Sequence, residues 1–323
     1  MFEVNGPDFK NILHARETID PYIFRTPVRQ YPGFSELLDA DVWVKHENFQ
    51  IMGSFKPRGG LNLVGTSSPA ERDRGFITAS SGNHGQSVSY SCKTFGSNAT
   101  IVVPEQANPV KVSAMRALGA EVIHHGAYFD VCNSYAEELA EKNGARYIHP
   151  INEPLLVAGV ATYTLEIHED LKNIDYLIVP VGGGSGASGA CIVSNEISPS
   201  TKIIGVQASA APAVYESWRS GKLENRPMKT IAEGLATGRA YELAVNILRA
   251  RLDDFITVSD KSIVEGITLF VNHTRTLVEH AGSATIAAAL KIKKQLRGSR
   301  VVLIASGANL TQNQLHYSLT NFI

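Results

Sequence analysis

Tyr176-Leu177-Ile178-Val179-Pro180-Val181-Gly182-Gly183-Gly184-Ser185-Gly186-Ala187-Ser188-Gly189 is the stretch that decides how this 323-residue chain folds. An apolar, β-branched run of strand length passes directly into successive glycines and then into small residues. Glycine tolerates positive φ and lets other groups approach the backbone closely. Together with the N-terminus of a following helix, the N–H groups of such a loop cradle an anion, so the inference is a phosphate site; the plainer reading is a flexible tight turn. Gly184 to Gly189 also fit the dinucleotide pattern G-x-G-x-x-G, but that fingerprint wants an acid about 20 positions on, at the end of the next strand. Here Lys202 to Val206 is followed by Gln207, Ala208 and Ser209. The Gly-Lys-Ser/Thr ending of a nucleoside-triphosphate loop is missing too, so a cofactor with a single phosphate fits better than either nucleotide class.

The same alternation runs along the rest of the chain. Strand candidates are Asp41 to Lys45, Gly75 to Thr78, Thr100 to Pro104, Glu121 to His124, Tyr176 to Pro180, Lys202 to Val206 and Arg300 to Ala305. Most precede a stretch of helical spacing, such as Pro109 to Leu118, which reads as βα units around parallel sheets and sets the class as α/β. Thr285 to Lys294 is rich in Ala, Ile and Leu with lysine at its end, where a cation meets the negative helix pole, and Ala281 to Ser283 reads as its start. No repeat, low-complexity tract or long linker marks a clean boundary, which is the pattern of one domain inserted within another.

Composition bounds the function. Hydrophobic residues make up 44% and charged residues 19%, ordinary globular usage that excludes disordered, collagenous and disulfide-scaffold classes. With 30 Lys+Arg against 31 Asp+Glu there is no bulk attraction to nucleic acid or an anionic membrane. Cys92, Cys132 and Cys191 are too few and too far apart for a disulfide framework or a metal site, which favours a reducing compartment. Met1 to Lys10 lacks an apolar leader, and no apolar run approaches the roughly 20 residues of a membrane helix. The expectation is a cytoplasmic protein with a small-molecule partner.

Three further segments carry chemistry. In Gly53-Ser54-Phe55-Lys56-Pro57-Arg58-Gly59-Gly60, Pro57 suits the first position of a helix and places Lys56 at its cap. Desolvated there beside Phe55 and Arg58, Lys56 could have a lowered pKa and act as a nucleophile, although taken alone a solvated surface lysine is the commoner case. Thr78-Ala79-Ser80-Ser81-Gly82-Asn83-His84-Gly85-Gln86 sits at the carboxyl end of a strand, where open α/β sheets bind ligands. His84 alone reads equally as a structural hydrogen-bonder, and Ser80 or Ser81 as a helix cap. Ser306-Gly307-Ala308-Asn309 follows the last strand and in isolation is a plain turn.

As a set, in this order, the four segments resemble the fold-type II pyridoxal-phosphate enzymes, and within them the serine/threonine dehydratase and serine racemase family; the resemblance covers nearly the whole chain. It implies a two-domain, tryptophan synthase β-like fold of parallel-sheet domains with the cofactor between them. The large domain would comprise residues 1–69 and 151–323 and the small domain residues 70–150. It also implies that Lys56 carries pyridoxal 5'-phosphate covalently, that Phe55 packs near its ring and that Asn83 bonds the ring hydroxyl. Gly182, Gly183, Gly184, Ser185 and Gly186 would bind the phosphate, and Ser306 would meet the ring nitrogen. Ser80, Ser81, Gly82, Asn83 and His84 would hold the substrate carboxylate, Lys56 would remove the Cα proton, and Ser81 matches the position that reprotonates Cα from the opposite face. A neutral serine at the ring nitrogen leaves a weaker electron sink than an aspartate would, favouring prompt loss of a β-substituent.

The expected reaction is dehydration and deamination of L-threonine or L-serine to a 2-oxo acid and ammonia, by a homodimer as in the family. A serine racemase, or a dehydratase of another β-hydroxy amino acid such as hydroxyaspartate or phenylserine, remains open, as does, from another class, an NAD-dependent oxidoreductase. Gly205-Val206-Gln207-Ala208-Ser209-Ala210-Ala211-Pro212-Ala213 lacks the acids with which metal-binding relatives hold a divalent cation, so no metal is expected. Glu279-His280-Ala281-Gly282 departs from the family's usual Glu-Pro-Thr-Ala-Gly or Glu-Pro-Ala-Gly, and Ser185 and Ala308 replace usual glycines, so a difference in pocket shape and substrate is expected.

Overall fold

The computed structural model describes residues 6–320; residues 1–5, part of the stretch read as lacking a leader, and residues 321–323 lie outside the described residues. Among the described residues ten strands form two sheets. β1 (Val28–Gln30), β2 (Asp41–Lys45), β7 (Tyr176–Pro180), β8 (Lys202–Ala208), β9 (Asp254–Val258) and β10 (Arg300–Ile304) build a six-stranded sheet in the order β1-β2-β10-β7-β8-β9. β3 (Phe76–Ala79), β4 (Ala99–Val103), β5 (Glu121–His124) and β6 (Arg146–Tyr147) build a four-stranded sheet in the order β5-β4-β3-β6. Every pairing is parallel except that of β1 with β2.

Parallel strands joined by crossover helices are covered on both faces and read as continuous apolar runs. Successive residues accordingly serve different cores: Leu177 and Val179 pack on one side of the larger sheet, Tyr176 and Ile178 on the other. Phe76 and Ile101 divide in the same way from Ile77 and Val102 in the smaller sheet. All seven sequence-derived strands are present, with ends displaced by up to two residues. Of the three additional strands, two lack a clear apolar run. β1 is an edge strand and mostly exposed and β6 has only two residues, whereas β9 carries the apolar run Phe255-Ile256-Thr257-Val258 that the sequence reading passes over.

Two helix starts differ from the sequence reading. The helix whose start the sequence places at Ala281 to Ser283 begins one residue earlier, at His280, and runs to Lys291. The small side chains there permit close packing: a Cβ on Gly234 would lie 2.8 Å from Ala281 Cβ, and Ser283 Oγ donates to the Ile263 carbonyl at 2.6 Å. The helix carrying Lys56 spans Lys56–Thr66, with Phe55 rather than Lys56 as its cap. Phe55 already has helical dihedrals (φ −66°, ψ −15°) and its carbonyl accepts the Arg58 N–H, while Pro57, lacking an N–H, is accommodated in the open first turn.

No helix among the described residues is long and apolar enough to cross a membrane. The three cysteines are buried and unpaired.

Candidate functional site

The segment that delivers Lys56 is held by the last of the four motifs. Ser54 and Gly307 form an isolated antiparallel bridge. The Phe55 N–H donates to the Ser306 carbonyl at 3.1 Å, the Ala308 N–H to the Gly53 carbonyl at 2.8 Å, and Asn309 Nδ2 to the Met52 carbonyl at 2.7 Å. Gly53 has φ +63°, and a side chain there would meet Asn309 Oδ1 at 2.9 Å, so glycine is required on both counts. Residues some 250 positions apart thus fix the entry to the Lys56–Thr66 helix.

From that entry Lys56 Nζ reaches the glycine loop, donating to Ser185 Oγ at 3.3 Å. Loss of hydration pulls the Lys56 ammonium down to about 8, against the upward pull of the Glu279 carboxylate. Phe55 packs edge-on to Tyr163 with ring centroids 6.0 Å apart, and Tyr163 OH donates to the Gly186 carbonyl at 3.1 Å.

The loop itself is pressed from below. A Cβ on Gly182 would lie 2.2 Å from the Gly234 carbonyl oxygen, and one on Gly183 2.4 Å from the Ile151 side chain. Gly184 (φ +101°) opens the Ser185–Ile197 helix with no side-chain cap, which leaves its first-turn N–H groups for an anion.

The Ser80 to Asn83 segment follows β3 and enters the Asn83–Thr94 helix, whose cap residue Gly82 also supplies no side-chain bond. Ser80 Oγ accepts the Gly82 N–H at 3.2 Å, and Ser81 lies in the same part-buried turn. The His84 imidazole bonds Thr78 Oγ1 at 3.1 Å and is buried, which, with the charge of Lys56 and His149, lowers it to about 3. What His84 contributes to the open helix start is therefore its main-chain N–H. Asn83 donates to Glu279 Oε1 and accepts from Asn309 Nδ2, both at 2.8 Å. Its amide retains one N–H and one lone pair for another group. Burial raises the Glu279 carboxyl.

Several site residues escape sequence reasoning. Arg58, two residues on in the Lys56 helix, does not act on Lys56 as the sequence suggests: it uses all five of its N–H groups on Glu47, Glu166 and Thr162 at 2.7–3.1 Å, partners the sequence does not reveal, and Lys45 pairs with Glu166, so two cations and two carboxylates close a buried, neutral cage. Lys111, on the Pro109–Ala117 helix beside the smaller sheet, pairs with Glu233 in the turn Glu233–Leu235, which contains Gly234. Tyr163, Ile151 and Gly234 act on the loop through contacts that no local pattern announces; Glu279 is visible in sequence only inside the divergent Glu-His-Ala-Gly. Among the described residues no group of three or more His, Cys, Asp or Glu could hold a metal ion.

A part-buried amine of lowered proton affinity, a glycine cradle at an uncapped helix start and an aromatic wall of Phe55 and Tyr163 fit a flat aldehyde cofactor bearing one phosphate. The comparisons agree. Residues 19–307 match the family model described as pyridoxal-phosphate dependent enzyme. The chain is 35% identical over 307 residues to the L-threonine ammonia-lyase of Thermotoga maritima, covering 95% of this chain and 76% of that protein. It is 36% identical to the L-threo-3-hydroxyaspartate ammonia-lyase of Saccharomyces cerevisiae, covering 94% of each. The solved structure of maize serine racemase superposes with a TM-score of 0.92 at 31% identity, covering 97% of each chain. The dinucleotide reading of Gly184 to Gly189 is thereby set aside, and the four motifs converge for a stated reason: this chain belongs to the family of pyridoxal-phosphate dependent enzymes, of fold type II.

Proposed function

We propose that the protein dehydrates and deaminates L-threonine or L-serine to a 2-oxo acid and ammonia. The observation that carries this reading is Lys56: an amine drawn down to about 8 by burial, 3.3 Å from Ser185 and within electrostatic reach of His84 at the carboxylate-binding segment. When bound, pyridoxal phosphate supplies the electron sink that makes the substrate Cα proton removable. Gly182 to Gly186 hold its phosphate, Asn83 its hydroxyl, Ser306 its ring nitrogen, and Phe55 flanks the ring. Ser80 to His84 hold the substrate carboxylate, supported by the uncapped helix start at Asn83. Lys56 takes the Cα proton, and its depressed proton affinity keeps a large fraction of it basic near neutrality.

Ser81, on the turn before that helix, is the donor that would return a proton to Cα in a racemase, and a serine racemase stands among the structural relatives. Hydroxyaspartate and phenylserine are the alternative substrates, the former supported by the yeast relative. The two sheets support a division into a small domain at residues 70–150 and a large domain formed by the remainder. A homodimer follows from the family resemblance, and a cytoplasmic home from the unpaired cysteines. The test is product analysis of holoenzyme with L-threonine, L-serine and L-threo-3-hydroxyaspartate. 2-Oxobutanoate or pyruvate supports the reading; D-serine without oxo acid, or turnover of hydroxyaspartate alone, replaces it.

A further inference from the structure

The segment 148–152 links the two cradles of the site. At one end the Ile148 carbonyl accepts a 2.7 Å bond from Thr78 Oγ1, the hydroxyl that also meets His84. At the other, the Ile151 side chain presses against Gly183. His149 lies on this segment, within electrostatic reach of His84.

Its ring is chemically specified. Nδ1 accepts the Ile151 N–H at 3.1 Å and the Asn152 N–H at 2.8 Å. A ring nitrogen that accepts two main-chain N–H groups carries no proton, so the proton of the neutral ring resides on Nε2. Burial, and then the charge of Arg239, lower His149 to about 4, so the ring stays neutral at physiological pH. Tyr241 packs edge-on at 4.5 Å between centroids and Tyr147 at 6.2 Å, which fixes the ring plane. Among the described residues no acceptor meets Nε2 within hydrogen-bond distance. The result is a fixed Nε2–H donor, unused among the described residues, on the segment that runs from the Thr78–His84 hydrogen bonds to the Gly183 contact.

We propose that His149 is a further catalytic residue, whose Nε2–H bonds the β-hydroxyl of the substrate and stabilises the oxygen as the Cβ–O bond breaks. The inference rests on the elimination reading above. In the step, the Cα–H bond gives its proton to Lys56 and its electron pair to the new Cα–Cβ double bond. The Cβ–O pair leaves with the oxygen, which takes up that proton from Lys56 and departs as water. His149 keeps its own proton throughout and acts as a preorganised dipole, as donors aimed at developing negative charge do.

The test compares L-serine with β-chloro-L-alanine, whose chloride leaves without a donor, in wild-type holoenzyme and in His149→Phe and His149→Gln. The expected result is a loss of about 100-fold in kcat on L-serine for His149→Phe, with β-chloro-L-alanine changed less than about threefold and partial recovery on L-serine in His149→Gln, whose amide restores a neutral donor. An equal loss on both substrates in both variants overturns the proposal. Nitrogen-15 resonances of His149 give a readout independent of turnover: protonated Nε2 and bare Nδ1 are expected, and the opposite tautomer overturns the proposal. Wild-type enzyme that releases oxo acid from neither compound overturns the elimination reading itself, a result distinct from any difference between variants.

Discussion

Asn83 Nδ2 donates a 2.8 Å hydrogen bond to Glu279 Oε1, joining the helix that follows β3 to the residue that caps the His280–Lys291 helix. The same carboxylate opposes the burial that lowers Lys56. A nearby negative charge favours the ammonium, so its removal lowers the amine further. Glu279→Gln is expected to move the Lys56 midpoint below about 8 while keeping an acceptor for Asn83. The pH dependence of amine modification in cofactor-free protein measures it, and an unmoved midpoint would mean that the Glu279 carboxyl is already neutral.

Lys56→Ala is expected to abolish oxo-acid release. Lys56→Met tests the electrostatics separately. The folded-state pKa lies near 8, below the 10.5 of an unperturbed lysine, so the unfolded chain binds more protons between these values. The wild type therefore carries a penalty that is full below about pH 8 and fades as the pH rises toward 10.5. Cofactor-free Lys56→Met should be the more stable protein at pH 7, with the gap closing through that window; denaturant midpoints across pH decide this.

Gly182→Ala and Gly183→Ala should rank in a fixed order. The first would drive a methyl group against the main-chain oxygen of Gly234, the second against the Ile151 side chain, which can yield. The expected cost of overpacking is about 1–3 kcal/mol for Gly182→Ala, with weakened cofactor binding, and less for Gly183→Ala. Thermal unfolding and titration with pyridoxal phosphate give both quantities.

Arg58→Met leaves Glu47 and Glu166 buried with fewer cations than carboxylates, a change expected to cost about 3–5 kcal/mol. Arg58→Lys should rescue little, because one ammonium cannot replace a planar fork of five donors. Equilibrium denaturation of the two variants would refute this if Arg58→Lys matched the wild type.

Lys111 and Glu233 form an ion pair between elements beside different sheets, with the glutamate side chain 49% exposed. Such a half-exposed pair is expected to couple by no more than about 1 kcal/mol, and less at high salt. A double-mutant cycle with Lys111→Met and Glu233→Gln, read as KM at two ionic strengths, checks this.

The sheets were legible because parallel strands buried on both faces must be apolar along their length, as Tyr176 to Pro180 and Arg300 to Ile304 are. β1 and β6 are not, since an exposed edge strand and a two-residue strand leave weak local patterns; β9 carries a readable Phe255-Ile256-Thr257-Val258 run beside Asp253 and Asp254. Proline marks the first turn of the Lys56 helix without specifying which position in it, so the sequence places the start one residue late. Glycine positions were readable for the same kind of reason: close approach and positive φ exclude other residues, so Gly53 and Gly182 to Gly184 betray crowding that the sequence never displays directly.

The sequence by itself determined the α/β class, the cofactor family and the four segments that meet at Lys56, because backbone geometry and phosphate binding restrict residue type locally. Only the tertiary structure decided what surrounds them. That Glu279 faces Asn83, that Arg58 is enclosed by Glu47 and Glu166, and that His149 Nδ1 accepts two main-chain N–H groups all depend on through-space distances and lost hydration. Those quantities arise from packing between residues far apart in the chain, and no spacing along it encodes them.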